Sequence, residues 1–421
     1  MKKSILFLLA LITLLSNANA QWKPTSNPPG GSVWAMAVIG SKIFAGTASG
    51  GVYLSSDEGA TWQKRNGAFP NMQVWALATK GTDIYAGTGG SFGAGVFKSS
   101  DDGITWTNIT PVGMSTSSNV RSLALNDTVI FAGTFGGGGI FMSHLNSIST
   151  TSWTSFNTGW TNGNFDTRAL KIKGGNIYAG TYGKGVWVST ISTPNWNITS
   201  STMLSNAGYI EAIDIKDSMM FAGNISGSPV LYRSNNIGLN WIQSSTSVFL
   251  DKPVYAITHI EKKVYAGTEG AGVLISSDNG ATWTSFNDGF KDSSGNWFCN
   301  QINVRSFAFS GATFYTGTDC GVWKRSISIT PDSSFATGIN NIYDKEQFSF
   351  YPNPAKEMIT INVNNSLLGS IYTISDQLGR AILTGKISDE TSLVNIGELV
   401  PGMYIISIGN IRSHNFKLLK Q

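Results

Sequence analysis

Short apolar runs, broken by glycine and small polar residues, repeat along most of the chain in one fixed order. A strand of the form V-x-A-x-A is followed by a tight turn and then by I-Y-A-G-T. The closing letters read Ala45-Gly46-Thr47, Ala86-Gly87-Thr88, Ala132-Gly133-Thr134, Ala179-Gly180-Thr181, Ala222-Gly223-Asn224, Ala266-Gly267-Thr268 and Thr316-Gly317-Thr318. Successive glycines of this set lie 41 to 50 residues apart. Each unit runs on into a G-V-x-x-S strand, as in Gly51-Val52-Tyr53-Leu54-Ser55, and ends on a short strand beside a Trp. Four short strands at this period predict one blade of a β-propeller. Seven units predict an all-β, seven-bladed propeller over residues 21–326.

The seventh unit is incomplete. It passes through Val304 to Phe309, Thr313 to Thr318 and Gly321 to Lys324 and then lacks its Trp strand. At the other end, Gln21-Trp22-Lys23 copies Trp62-Gln63-Lys64. The N-terminal segment is therefore expected to supply the outer strand of blade seven, leaving no open edge between first and last blades.

Outside the repeat, the pattern changes twice. Lys2 and Lys3, the apolar run Ile5 to Leu15 and Ala18-Asn19-Ala20 have the order of a secretory signal peptide over residues 1–20. No later stretch is apolar for long enough to be expected as an integral membrane segment. Residues 327–346 are rich in Ser, Thr, Asp and Asn and read as a linker. Residues 347–421 then alternate in short strands, predicting a small immunoglobulin-like β-sandwich.

Composition agrees. Only 13% of residues are charged, and 48 are Gly, which disfavours helical or disordered chains. The net charge of +4 becomes +2 without Lys2 and Lys3, with no basic cluster, so no nucleic-acid partner is expected. A monomer is expected. No cofactor or metal is implied, because His144, His259 and His414 have no metal-site spacing and no H-E-x-x-H is present. Cys299 and Cys320 flank the first hairpin of blade seven and fall nearly opposite each other. In an oxidising compartment they can form a disulfide worth about 3 kcal/mol on the loop-entropy model, the alternative being two buried thiols.

Two resemblances refine this reading. The turns Ser56-Asp57-Glu58-Gly59-Ala60-Thr61-Trp62, Ser100-Asp101-Asp102-Gly103-Ile104-Thr105-Trp106 and Ser277-Asp278-Asn279-Gly280-Ala281-Thr282-Trp283 resemble the Asp-box of BNR and sortilin-like propellers, with a worn copy over residues 234–241. Asp57, Asp101 and Asp278 are expected to staple their own turns, Gly59, Gly103 and Gly280 to supply positive φ, and Trp62, Trp106 and Trp283 to cover the hairpins. The tail carries Pro352-Asn353-Pro354, Gly379-Arg380 and Pro401-Gly402 followed by Tyr404, and is similar to the type A sorting domain of the type IX secretion system of Bacteroidota. That resemblance implies a secretion translocon and a sortase-like peptidase as partners. It also implies passage to the cell surface or medium, with the tail removed. The alternative is an accessory binding sandwich.

Aligning the blades exposes a candidate ligand site. The variable residue at the start of each first strand reads Trp34, Trp75, Arg121, Arg168, Glu211, Tyr255 and Arg305. These are expected to approach one rim of the central channel, where the loops after A-G-T bring Phe92, Phe135, Tyr182, Glu269 and Asp319. Long connections on that face add Phe156, Trp160, Phe165, Phe290 and Trp297, and the Asp-box turns fall on the opposite rim. Aromatic faces and guanidinium planes suit a glycan or protein ligand, although inter-blade packing would place the same residues there. A glycoside hydrolase or lyase would need two facing carboxylates from among Glu211, Asp214, Asp166, Glu269 and Asp319. A scaffold or adhesin without a small ligand is the third reading. Truncation at Ile342 should trap the protein in the periplasm, as assayed by fractionation; normal surface delivery of that variant would remove the sorting assignment.

Overall fold

The computed structural model describes residues 21–327 and 348–420, except residues 29, 68–72, 91–94, 113, 115–118, 161–165, 200–207, 227–229, 245–250, 293, 300–301, 352–353, 364–367, 377–379 and 409–414. Residues 1–20, expected to be a signal peptide, and nearly all of the expected linker lie outside the described residues. The chain divides between Asn340 and Asn341 into two compact units.

The first unit is a seven-bladed propeller of seven four-stranded antiparallel sheets. The first strands are Val33–Ile39, Gln73–Lys80, Asn119–Leu125, Thr167–Lys173, Ile210–Lys216, Val254–Ile260 and Val304–Ser310. Each packs against the first strands of its two neighbours, and Val33–Ile39 packs against Val304–Ser310, closing the circle. The N-terminal strand Lys23–Pro24 joins the seventh sheet, with Lys23 opposite Lys324 and Pro24 opposite Trp323. Blade seven is thus made from both ends of the propeller sequence.

The A-G-T motif is explained by the seams between blades. A Cβ on Gly46 would stand 2.6 Å from a methyl of Val74, the second residue of the next first strand. Gly87 receives Val120 in the same way, Gly133 Thr167, Gly180 Ile210, Gly223 Val254, Gly267 Val304 and Gly317 Val33. Only a residue without a side chain allows each β-branched neighbour this close. The motif's threonines are buried and bond within their own hairpins, as Thr47 Oγ1 does to the Gly51 carbonyl at 2.9 Å.

A second sevenfold contact runs round the outside. The residue before each outer strand is Trp, and its indole N–H donates to the preceding blade, always at the residue just after that blade's outer strand. Trp106 reaches the carbonyl of Arg65, Trp153 that of Ile109, Trp196 that of Phe156 and Trp22 that of Phe286, each at 2.7 Å. Trp62, Trp241 and Trp283 reach the hydroxyls of Thr25, Thr199 and Ser244 at 3.4, 3.2 and 2.9 Å. Since Trp22 and Thr25 are both N-terminal, the same contact spans both seams of blade seven.

The second unit contains a three-stranded and a four-stranded sheet around Ile359, Ile361, Ile374, Ile387, Val394, Ile406 and Leu418. Its first strand is Phe348–Tyr351. Of the sorting-motif residues, Arg380 Nε bonds Asp376 Oδ2 at 2.7 Å, and the buried Tyr404 donates to the Val400 carbonyl at 2.9 Å across Pro401 and Gly402. Pro354 precedes the Ala355–Lys420 bridge. Pro352, Asn353 and Gly379 lie outside the described residues.

Trp22 is 1% exposed and stacks on Phe290 at 4.9 Å. Trp22→Ala should therefore destabilise the protein by about 3–5 kcal/mol, with a visible drop in melting temperature. Deletion of residues 21–25 should do at least as much, and unchanged melting of the deletion would show that the N-terminal strand does not seal the ring.

Candidate functional site

The repeat places one non-repeating residue per blade at the channel. In every blade the pairing of first and second strands skips one position, a β-bulge. The skipped residues are Trp34, Trp75, Arg121, Arg168, Glu211, Tyr255 and Arg305, the variable set read from the sequence. A bulge re-aims the extra side chain out of the pleat. All seven are half-buried although the residues on either side, apart from Ser306, are buried.

From blade one to blade four these side chains form a continuous ladder. Trp34 stacks on Trp75 with centroids 3.8 Å apart. The Arg121 guanidinium carbon lies 3.3 Å from the Trp75 ring centre and 5.3 Å from that of Phe135. The Arg168 guanidinium carbon lies 4.5 Å from the ring centre of Phe135 and 4.6 Å from that of Tyr182. Tyr182 meets Phe135 edge-on at 5.6 Å and Tyr209 at 4.2 Å.

Beyond the ladder the ring is ionic. Arg168 Nη1 bonds Glu211 Oε2 at 2.7 Å. Tyr255 donates to Glu269 Oε2 at 2.5 Å, and burial first, then that carboxylate, push its hydroxyl up to about 12. Arg305 bonds Asp319 through Nε at 2.5 Å and Nη2 at 3.1 Å, and Asn303 adds a bond of 2.6 Å to the same carboxylate. Burial alone would raise Asp319, but these donors outweigh it and leave it below its ordinary value. Asp166 accepts the amides of Gly136 at 2.6 Å and Gly137 at 3.3 Å. Each of these four carboxylates therefore has a donor in the frame. Burial first, then the nearby Arg168, bring Arg121 down to about 10, so it stays cationic at neutral pH.

Cys299 and Cys320 are joined by a disulfide with Cα atoms 6.5 Å apart. It fastens the long connection before blade seven to the turn that bears Asp319, on the rim side of the sheet.

Other expectations need correcting. Phe156 and Phe290 are 2% and 0% exposed and pack against Trp196 and Trp22 in the outer seams, so they belong to the core. Trp160 stacks on Trp196 at 4.6 Å. Trp297 lies under Lys291 at 4.5 Å. Phe92 and Phe165 lie outside the described residues. Asp214 does not join the rim acids. It is buried three residues further along its strand, bonded to His259 Nδ1 at 2.5 Å and Lys171 Nζ at 3.1 Å. Burial opposes its charge, but Lys171 and His259 hold the carboxyl far below its ordinary range. The sequence held a signal for this cluster: Lys171 and Asp214 stand where Ala37, Ala78, Ala124 and Ala308 stand in other blades.

The S-x-D-x-G-x-T-W turns sit at the other end of the sheets, where strand pairing brings Ser55 opposite Ile43, near the far hairpin. Asp57 Oδ1 accepts from Ser55 Oγ and the Thr61 amide, both at 2.8 Å, and Oδ2 accepts from Thr61 Oγ1 at 2.6 Å. Asp101 and Asp278 repeat these bonds to Thr105 and Thr282. Gly59, Gly103 and Gly280 have φ of 85°, 81° and 76°.

Residues 349–420 match the family described as the secretion system C-terminal sorting domain. The protein is exported by the type IX secretion system. Its destination is the cell surface or the extracellular space. Among the described residues, no helix is long and apolar enough to cross a membrane. The propeller is similar in fold to solved structures of low sequence identity. YCF48 from Cyanidioschyzon merolae is 15% identical with a TM-score of 0.55, over 73% of this chain and 99% of that one. YCF48 bound to D1 peptide is 14% identical with a TM-score of 0.54, over 74% and 97%. The extracellular domain of a one component system from B. thetaiotaomicron is 16% identical with a TM-score of 0.58, over 92% of this chain and 52% of that chain. A comparison with the curated proteins finds no match.

The hydroxyl of Thr61 first, then its amide and Ser55, hold the Asp57 carboxyl at about 2, and Asp101 and Asp278 are held there by the equivalent groups. Depressed carboxyls contribute stability in full above their ordinary value of 3.8, and that contribution is lost as pH falls towards 2. Asn236, in the worn turn, makes the Oδ1 bonds without a charge. The triple variant Asp57→Asn, Asp101→Asn, Asp278→Asn should fold and show a flatter fall in melting temperature between about pH 4 and 2. An acid dependence equal to the parent's would remove these turns as its source.

Proposed function

We propose that this exported protein is a binding module that seats a glycan or protein ligand on the channel rim. The observation that carries the reading is the set of seven aligned bulges. One backbone irregularity, repeated seven times, presents two Trp, three Arg, one Glu and one Tyr, whereas the glycine seams behind it repeat one contact. A ring needed only for packing would repeat its chemistry as the seams do.

The four donor-bound rim carboxylates support binding rather than glycoside hydrolysis, which needs one carboxyl free to carry a proton and another to attack or activate water. The S-x-D-x-G-x-T-W turns support kinship with Asp-box propellers of the BNR and sortilin-like kind, in a stapling role at the far rim. Residues 1–20 serve as signal peptide. The tail is removed by a sortase-like peptidase, and the monomeric propeller is then anchored or released.

Arg121→Ala combined with Arg168→Ala should abolish ligand capture, measured on glycan and surface-protein arrays, and leave the melting temperature within a few degrees of the parent. Undiminished capture by the double variant would refute the rim reading, and release of reducing sugar from a bound glycan would replace it with hydrolysis.

A further inference from the structure

The rim arginines are not equivalent. Arg168 and Arg305 each hold a carboxylate, whereas among the described residues Arg121 holds none. Its guanidinium carbon lies 3.3 Å from the centre of the Trp75 ring and 5.3 Å from that of Phe135. The Nε of Arg121 is buried without an acceptor, as is that of Arg168. A guanidinium packed on aromatic rings, with no ion-pair partner among the described residues, is a seat for a planar anion.

The surroundings narrow the class of anion. Glu211 and Asp166 lie within the field of Arg121, as do Arg168 and Arg305. A densely charged polyanion laid on the rim would meet these carboxylates and those of Glu269 and Asp319. A ligand with one isolated carboxylate among many hydroxyls meets no such penalty. Its hydroxyls can donate to the remaining lone pairs of the rim acids, and sugar faces suit the exposed part of the aromatic ladder.

We infer that Arg121 is the seat for the carboxylate of a uronic-acid residue in an otherwise neutral oligosaccharide. The inference rests on the rim-binding reading and goes beyond it by fixing ligand charge and the residue that reads it.

The test uses the full-length protein on an array of oligosaccharides, each carrying one uronate on a different neutral backbone and printed beside its carboxyl-reduced twin. At least one uronate glycan should bind, with its reduced twin about ten- to a hundredfold weaker, the range of a charge-assisted bond. Arg121→Gln should weaken the acid form by a similar factor and leave the twin unchanged, with unaltered melting. Arg121→Lys, which keeps the charge but not the plane, serves if the glutamine variant melts early, and should still lose several-fold. Equal binding of acid and twin, or an acid form indifferent to Arg121, would overturn the carboxylate seat while leaving rim binding intact. Failure of every uronate glycan, with Arg121-dependent capture of a peptide bearing a free C-terminal carboxylate, would overturn the sugar assignment. If a glycan binds and is indifferent to Arg121→Ala with Arg168→Ala as well, the rim reading falls with it.

Discussion

The structure depends on blades that stabilise one another because none can cover its own faces. The indole N–H of one tryptophan per blade, reaching back to the residue after the preceding outer strand, is the contact that fixes this at the periphery. An indole N–H taken from water favours an acceptor, and in each blade the neighbour supplies one. The blade spacing is thereby set at the outside by one hydrogen bond and near the axis by a glycine against a β-branched side chain. Two contacts at different radii define an angle as well as a distance. Repeated seven times, they leave the first strands converging on a common axis.

That convergence is what makes the rim informative. Uniform seams allow one position per blade to vary without cost to the ring, because the bulge removes that residue from the pairing. Variation there is confined to the rim, and variation anywhere else has to be compensated. The buried Lys171–Asp214–His259 cluster shows the second case. Asp214 stands where four other blades have alanine, and its burial requires partners, which both adjoining blades supply.

Much of this was legible in the sequence. The A-G-T phrase gave period and blade number, Gln21-Trp22-Lys23 gave the closure, and register counting put Arg121, Arg168 and the others on one ring. What the sequence could not give was direction at the seams. Phe156 and Phe290 looked like rim aromatics because their connections are long, yet both turn outward to meet a tryptophan. Trp22, Trp62 and their equivalents were visible as strand markers, but their hydrogen bonds run between units, and a repeat read one unit at a time conceals what crosses its boundary. The bulge was equally hidden, since an unpaired residue and a paired one look alike in an alternating pattern.

The pairing of Lys23 with Lys324 has a consequence for biogenesis. The earliest part of the domain to be synthesised finds its place last, after some three hundred residues have followed it. Contacts of such long range form slowly. Until they do, the seventh sheet has a bare flank and the circle has a gap. A nascent chain can stack blades in order, but it cannot finish the domain before nearly all of it has emerged. Completion of the ring therefore waits on blade seven, the last part of the propeller before the sorting domain in sequence.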